Sequence, residues 1–182
     1  MVLGYLMYDI LRMEDKMDDT AILNGKRILI VDDEEDVLAT VSDLLDMCEN
    51  DVAANFDTAM KLMKENRYDL AIFDIMGVGG YDLLEQAQKK GIPAMMLTAH
   101  ALNPEAFEKS LKSGAKAYIP KEKMPDIASF AAEMIQAREN GIDRPGNWFA
   151  RLEAFFERQF GTEWSENYKR AREKYPWLDF DD

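Results

Sequence analysis

Five short apolar runs punctuate the chain: "ILIV" at Ile28 to Val31, "VAA" at Val52 to Ala54, "LAIF" at Leu70 to Phe73, "AMML" at Ala94 to Leu97 and "AYI" at Ala117 to Ile119. Their starts lie 18 to 24 residues apart, which leaves room for a loop, a helix and a loop between neighbours. That beat is a βα alternation. Most of the runs do not alternate with polar residues, as parallel strands covered on both faces require. The expected fold is therefore α/β, a five-stranded parallel sheet flanked by helices.

The segments between the runs carry helical spacing. Val37, Leu38, Val41, Leu44 and Leu45 form one apolar stripe, and Ile127, Phe130, Ala131, Met134 and Ile135 repeat it within a helix expected from Met124 to Glu139. Thr58 to Glu65, Tyr81 to Lys90 and Pro104 to Ser113 are shorter helices, the last opened by Asn103 as a cap with Pro104 in the first turn. Cys48 falls at the close of a helix as a small core residue.

Beyond Asn140 the composition changes. "GIDRPGN", residues 141–147, reads as a turn-rich hinge, and residues 141–182 hold ten of the nineteen aromatics, including all three tryptophans. Trp148, Phe149, Leu152, Phe155, Phe156 and Phe160 share one helical face that Gly161 stops; Trp164, Tyr168, Ala171 and Tyr175 share a second, ended by Pro176. A helical hairpin over residues 148–182 follows. It has two destinations: its own domain, by the ordinary rule for amphipathic helices, or a partner, since large aromatics anchor interfaces.

Charge restricts the function. A net charge of −13 opposes nonspecific binding to nucleic acid or an anionic membrane, both of which need a cationic footprint. The tail, with seven basic and nine acidic residues, makes no DNA-reading module. The single cysteine fits a reducing compartment. "MVLGYLMYDIL" at the start lacks a basic leading region and a cleavage site and falls short of a membrane span, so residues 1–25 read as an extension, with a helix docked on the domain as one option. The expectation is a cytoplasmic protein.

In a parallel sheet all strand exits share one edge, where ligands collect. Here the exits present Asp32 and Asp33 after the first run, Asp74 after the third, Thr98 after the fourth and Lys121 after the fifth. If the first and third strands are neighbours, a spacing of roughly 4.8 Å puts Asp33 and Asp74 within reach of a common ion. Two like charges 4 Å apart cost about 4 kcal/mol at an effective dielectric of 20, so a proton or a cation must intervene. Oxygen-only donors suit Mg²⁺. Acids, a lysine and a threonine are also the equipment for phosphoryl transfer to a carboxylate: Lys121 neutralises the transferring oxygens, Thr98 donates a hydrogen bond and one aspartate attacks. Asp74, alone between "LAIF" and "GVGG", is the best nucleophile candidate, with Asp32 and Asp33 as metal ligands.

"ILIVDDEED", "LAIFDIM", "MLTA" and "AYIPK" resemble, in order and spacing, the signature segments of the receiver domain of bacterial two-component response regulators, over residues 26–140. The resemblance implies a flavodoxin-like sheet of order 2-1-3-4-5. It makes Asp74 the phosphoacceptor and Asp33, Asp74 and the carbonyl of Met76 the protein ligands of Mg²⁺, with Asp32 acting through a bound water. Thr98 and Tyr118 would form a switch, the threonine moving toward the phosphoryl group as the ring turns inward and the face of the last helices and strand is remodelled for a partner. The partners implied are a sensor histidine kinase or phosphotransfer protein as donor, with a target protein or a second copy engaged through that face and residues 148–182.

Two departures bear on geometry. The loop after Asp74 lacks the family's usual proline and is about two residues short, and Lys121 is followed by Glu122 rather than proline. Met76 and His100 sit where receivers tune phosphoryl hydrolysis, although His100 also reads as an ordinary loop histidine and Thr98 and Tyr118 as ordinary strand residues. Glu34, Glu35 and Asp36 read as a solvated helix start without chemistry. A phosphorelay shuttle would use the same chemistry at Asp74. A haloacid-dehalogenase-type phosphatase would need a second aspartate where Met76 stands, so a turnover enzyme is the weaker alternative.

Overall fold

The computed structural model describes residues 20–99, 103–142 and 148–161. After a single 3₁₀ turn at Ala21–Leu23, strands and helices alternate: β1 Arg27–Val31, α1 Glu35–Leu44, β2 Glu49–Ala53, α2 Phe56–Glu65, β3 Leu70–Asp74, α3 Gly80–Lys89, β4 Ala94–Thr98, α4 Pro104–Lys112, β5 Ala117–Pro120, a 3₁₀ turn Lys121–Asp126 and α5 Ile127–Glu139. A further helix, α6, spans Trp148–Phe160. The strands form one parallel sheet of order β2-β1-β3-β4-β5. No helix among the described residues is long and apolar enough to cross a membrane.

The apolar runs became the central strands because both their faces are covered: β3 and β4 are buried at every position. The edge strand departs from the expectation. β2 begins at Glu49, three residues before its apolar run, because its polar residues have partners at the sheet margin. Asn50 donates to the carbonyl of Leu45 at 2.8 Å, tying off the end of α1, and Asp51 accepts from Arg27 Nε at 3.0 Å and from the Tyr68 hydroxyl at 2.7 Å. Burial raises the Tyr68 phenol to about 12, and the bond to Asp51 adds to this. Cys48 lies between α1 and β2 and is only half-buried. Burial pushes its thiol up to about 11.

Helix starts follow local chemistry. Asn55 and Asn103 accept from the backbone N–H of Thr58 (2.9 Å) and Ala106 (2.8 Å), capping α2 and α4. For α2 the cap moves the start to Phe56, two residues before the expected Thr58. α5 starts at Ile127 because Pro125 belongs to the preceding 3₁₀ turn.

The first half of the tail packs on its own domain. Trp148, Phe149, Leu152, Phe155 and Phe156 of α6 are buried and belong to the same core as the sheet. Phe107 of α4 receives Phe156 at 5.4 Å and Phe149 at 6.0 Å between ring centroids. On α5, Arg151 donates to Ser129 Oγ at 3.0 Å, pairs with Glu133 and lies 4.1 Å over the Phe130 ring. Gly161 takes a positive φ of 77° at the end of α6, the stop expected there. The second expected tail helix, the hinge residues 143–147 and residues 1–19 of the N-terminal extension fall outside the described residues, while Leu23 at the end of that extension is buried in the core.

The loop from β3 to α3 is as short as its sequence suggests. At Gly80, an added Cβ would fall 2.0 Å from the Asp74 carbonyl oxygen, so only glycine lets α3 start this close to the strand end. Gly80→Ala is expected to destabilise the protein toward the upper end of the roughly 1–3 kcal/mol typical of overpacking, read as a lower urea midpoint with an unchanged slope.

Candidate functional site

The sheet order brings the exits of β1, β3, β4 and β5 to one edge, and a single ammonium ties three of them together. Lys121 Nζ lies 2.8 Å from Asp32 Oδ2, 2.8 Å from Glu34 Oε1 and 3.2 Å from Asp74 Oδ1. Asp32 and Asp74 are buried, and the Lys121 side chain is only 11% exposed. Asp32 can end β1 in a charge because its Oδ1 accepts the N–H of Glu34 at 3.0 Å, opening α1, while its backbone N–H bonds to the carbonyl of Ala53. Its Oδ2 is fully buried and, beyond the ion contact with Lys121, takes no hydrogen bond.

Burial raises the Asp74 carboxyl above the ordinary carboxylate range; Lys121 opposes this, the charge of Asp32 reinforces it, and hydrogen bonds from Lys121 and the backbone of Met76 oppose it. The partially desolvated carboxylate is therefore held by few donors. For Lys121, burial works against the charge, but the contacts with Asp32 and Glu34 and the charges of Asp74 and Asp32 outweigh it, and its pKa is raised.

Glu34 is solvated at the start of α1, as the sequence suggests, with a side chain 57% exposed, and it also contacts Lys121. Glu34 stands at the N-cap position of α1 without making a side-chain cap bond, and its carboxylate accepts from Lys121 Nζ instead. No spacing in the sequence signals this, since the lysine is 87 positions away.

Asp33 stands apart from the ion cluster. It is exposed, and its carboxylate occupies the space beside Gly77, where an added Cβ would lie 2.4 Å from it. Gly77, at φ 74°, centres a γ-turn closed by the bond from Val78 N–H to the Met76 carbonyl at 2.7 Å. That bond uses one lone pair of the Met76 oxygen and leaves the other. The Met76 side chain is 57% exposed. Among the described residues no three His, Cys, Asp or Glu side chains stand together as a metal-holding group. The donor chemistry nevertheless suits a hard cation: the set is all oxygen, Asp32 Oδ2 has spare capacity, and the missing side chain of Gly77 leaves room for the Asp33 carboxylate where it lies.

Thr98 and Tyr118 lie on one face of the sheet, because Tyr118 pairs with Met96 and Thr98 with Pro120. Both are fully buried. Burial, chiefly, raises the Tyr118 phenol; nearby Tyr81 adds to this and Thr98 opposes it. The Tyr118 ring is wedged between Phe107 at 5.4 Å, edge-on, and Phe156 of α6 at 6.2 Å. His100 falls outside the described residues.

Residues 28–130 match the response regulator receiver domain. The chain belongs to that family: it contains the receiver domain of a two-component response regulator. Two curated relatives, the two-component response regulators ARR10 and ARR12 of Arabidopsis thaliana, are 35% and 33% identical over 104 residues, 53% of this chain. The match covers 19% and 17% of those proteins, so the chain spans about a fifth of their length. Among solved structures, a CheY-like receiver domain from Methanospirillum hungatei JF-1 is 32% identical with a TM-score of 0.60, covering 65% of this chain and 99% of that one. A receiver domain from Clostridium thermocellum, 24% identical with a TM-score of 0.57 over 64% of this chain and 98% of that one, speaks for the fold alone.

The raised Asp74 carboxyl makes a stability prediction with a definite sign. A carboxyl whose native pKa lies above its unfolded value of about 3.9 costs stability in its ionised form, fully so above the native pKa and not at all below about 3.9. Asp74→Asn, which imitates the protonated acid, is expected to raise the melting temperature at pH 7, with the gain shrinking through the acidic range and gone near pH 3.5. Calorimetry across that range measures it.

Proposed function

We propose that this protein is a phosphoacceptor that takes a phosphoryl group on Asp74 from a sensor histidine kinase or a phosphotransfer protein, and that its output is a protein contact rather than DNA binding. The observation that carries this is the Asp74 carboxylate, buried at the exit of β3 and 3.2 Å from the Lys121 ammonium. The corresponding division of the chain is a receiver over residues 26–140 with residues 148–182 as its extension.

In the transfer an Asp74 carboxylate oxygen forms a bond to phosphorus while the bond from phosphorus to the donor's imidazole nitrogen breaks, and the imidazole leaves with that electron pair. Burial of Asp74 keeps its carboxylate poorly solvated and so readier to attack. Lys121 supplies a fixed positive charge beside the incoming oxygens, oriented by Asp32 and Glu34, which costs no reorganisation at the moment of reaction. Thr98, at the neighbouring strand exit, is the hydroxyl donor for a phosphoryl oxygen. Asp32, Asp33, Asp74 and the Met76 carbonyl are the residues that would hold Mg²⁺, which when bound neutralises charge on the phosphoryl oxygens. Two positions past Asp74 stands the methionine, which has no proton to give a leaving group, and this favours a stable acyl phosphate over ester hydrolysis.

Incubation of the full chain with acetyl phosphate and Mg²⁺ is expected to add one phosphoryl group by mass spectrometry. Asp74→Asn abolishes the gain, and Lys121→Ala slows it by about 10²–10³-fold, the usual effect of removing a charge-stabilising donor. A wild-type chain whose mass stays unchanged refutes the reading.

A further inference from the structure

The edge of the sheet opposite Asp74, where β3 and β4 begin, carries a second concentration of charge, and there the sign is reversed. A cavity of about 450 Å³ lies beside the segments that enter these two strands, a size within the range of small-molecule sites. Lys64, Arg67, Lys90 and Arg138 line it, over the buried side chains of Met63 and Ile92. No Asp or Glu among the described residues lines it, although the chain has 35 acids against 22 bases. Two acids close by in sequence are engaged elsewhere: Asp69 accepts the backbone N–H of Arg27 at 3.0 Å, and Glu139 pairs with Lys26.

Cations are ordinary at helix C-termini, and Lys64, Lys90 and Arg138 stand at those of α2, α3 and α5. That accounts for each of them singly. It does not explain why three helix ends, and Arg67 from outside any helix, surround one hollow that no carboxylate enters. Among the described residues the side chains of Lys64, Arg67 and Lys90 make no ion pair or hydrogen bond. Arg138 is fixed without being neutralised: its Nη1 donates to the carbonyls of Asp69 at 2.9 Å and Tyr68 at 3.4 Å, which carry no net charge. Four like charges around a hollow repel one another, and an anion placed among them removes that repulsion.

A second cavity, of about 440 Å³, meets the first at Gly91, Ile92 and Arg138. Its lining is more apolar, with Leu84, Pro93, Met134, Ala137 and Ile142, and again includes no Asp or Glu among the described residues. We propose that the two cavities form one binding site for a small organophosphate, its phosphates on Lys64, Arg67, Lys90 and Arg138 and its ring or apolar body against Pro93, Met134 and Ile142. A guanidinium suits this ligand because two parallel N–H donors match two phosphate oxygens. Leu70 and Asp74 stand four strand steps apart, roughly 13 Å, so the site is separate from the phosphoacceptor edge.

Calorimetric titration of the full chain with ADP, in EDTA so that no metal links the nucleotide to the acidic edge, tests the proposal. Saturable binding with a Kd below about 1 mM is expected, weakening as KCl is added. Pyrophosphate and adenosine, which each supply one half of the ligand, should bind more weakly than ADP. Arg67→Gln and Lys90→Gln, at exposed positions with no partners to lose, should each weaken ADP binding about ten-fold, the scale of a charge-assisted hydrogen bond. Both should leave the mass gain from acetyl phosphate unchanged, which separates this site from Asp74. Ile142→Ser should weaken ADP and leave pyrophosphate as it was. Absence of ADP binding in the millimolar range overturns the proposal, as does equal affinity of the wild type, Arg67→Gln and Lys90→Gln. Pyrophosphate binding as tightly as ADP overturns the part given to the second cavity. Binding of hexaglutamate but not of ADP, lost in the same two variants, overturns the organophosphate in favour of an acidic protein segment.

Discussion

The Lys121 ammonium is the interaction on which the strand-exit edge depends. Asp32 and Asp74 close neighbouring strands, and both are buried. Without a cation between them, two carboxylates at such a separation repel by several kcal/mol. Lys121 reaches both, and Glu34 as well, from the end of β5, the far edge strand. One side chain thus reconciles the charges of β1 and β3 across the width of β4, and the same residue provides the charge that phosphoryl transfer requires. Stability and chemistry share a single group because both are the problem of accommodating negative oxygen at a poorly hydrated edge.

Most of the architecture was legible because the forces that set it act on sequence patterns of short range. Unbroken apolar runs became strands wherever helices covered both faces, and the caps at Asn55 and Asn103 are local signals with local consequences. β2 resisted for the opposite reason. Its residues are chosen by contacts with Ser42, Leu45, Arg27 and Tyr68, which are distant in sequence or invisible to an apolar pattern.

The convergence of Asp32, Asp74 and Lys121 on one edge was readable from position alone, since a parallel sheet collects its exits. Glu34 was not, because its role depends on which way a cap residue's side chain turns. Asp33 illustrates the same limit: adjacent in sequence to Asp32, it faces Gly77 and not the lysine, a difference created by the short γ-turn after Asp74. The aromatic face of α6 announced burial but not its destination, which emerged only when Phe107 and Tyr118 were found to complete a ring cluster with Phe156.

The polar character of β2 has a consequence for how copies of this protein meet. β2 forms one margin of the sheet, where open N–H and carbonyl groups invite a strand from a neighbour. It is only five residues long and carries Glu49 and Asp51. Two such margins laid side by side would bring acids of identical molecules together on chains that already bear a charge of −13. Edge-to-edge pairing through β2 is thereby discouraged.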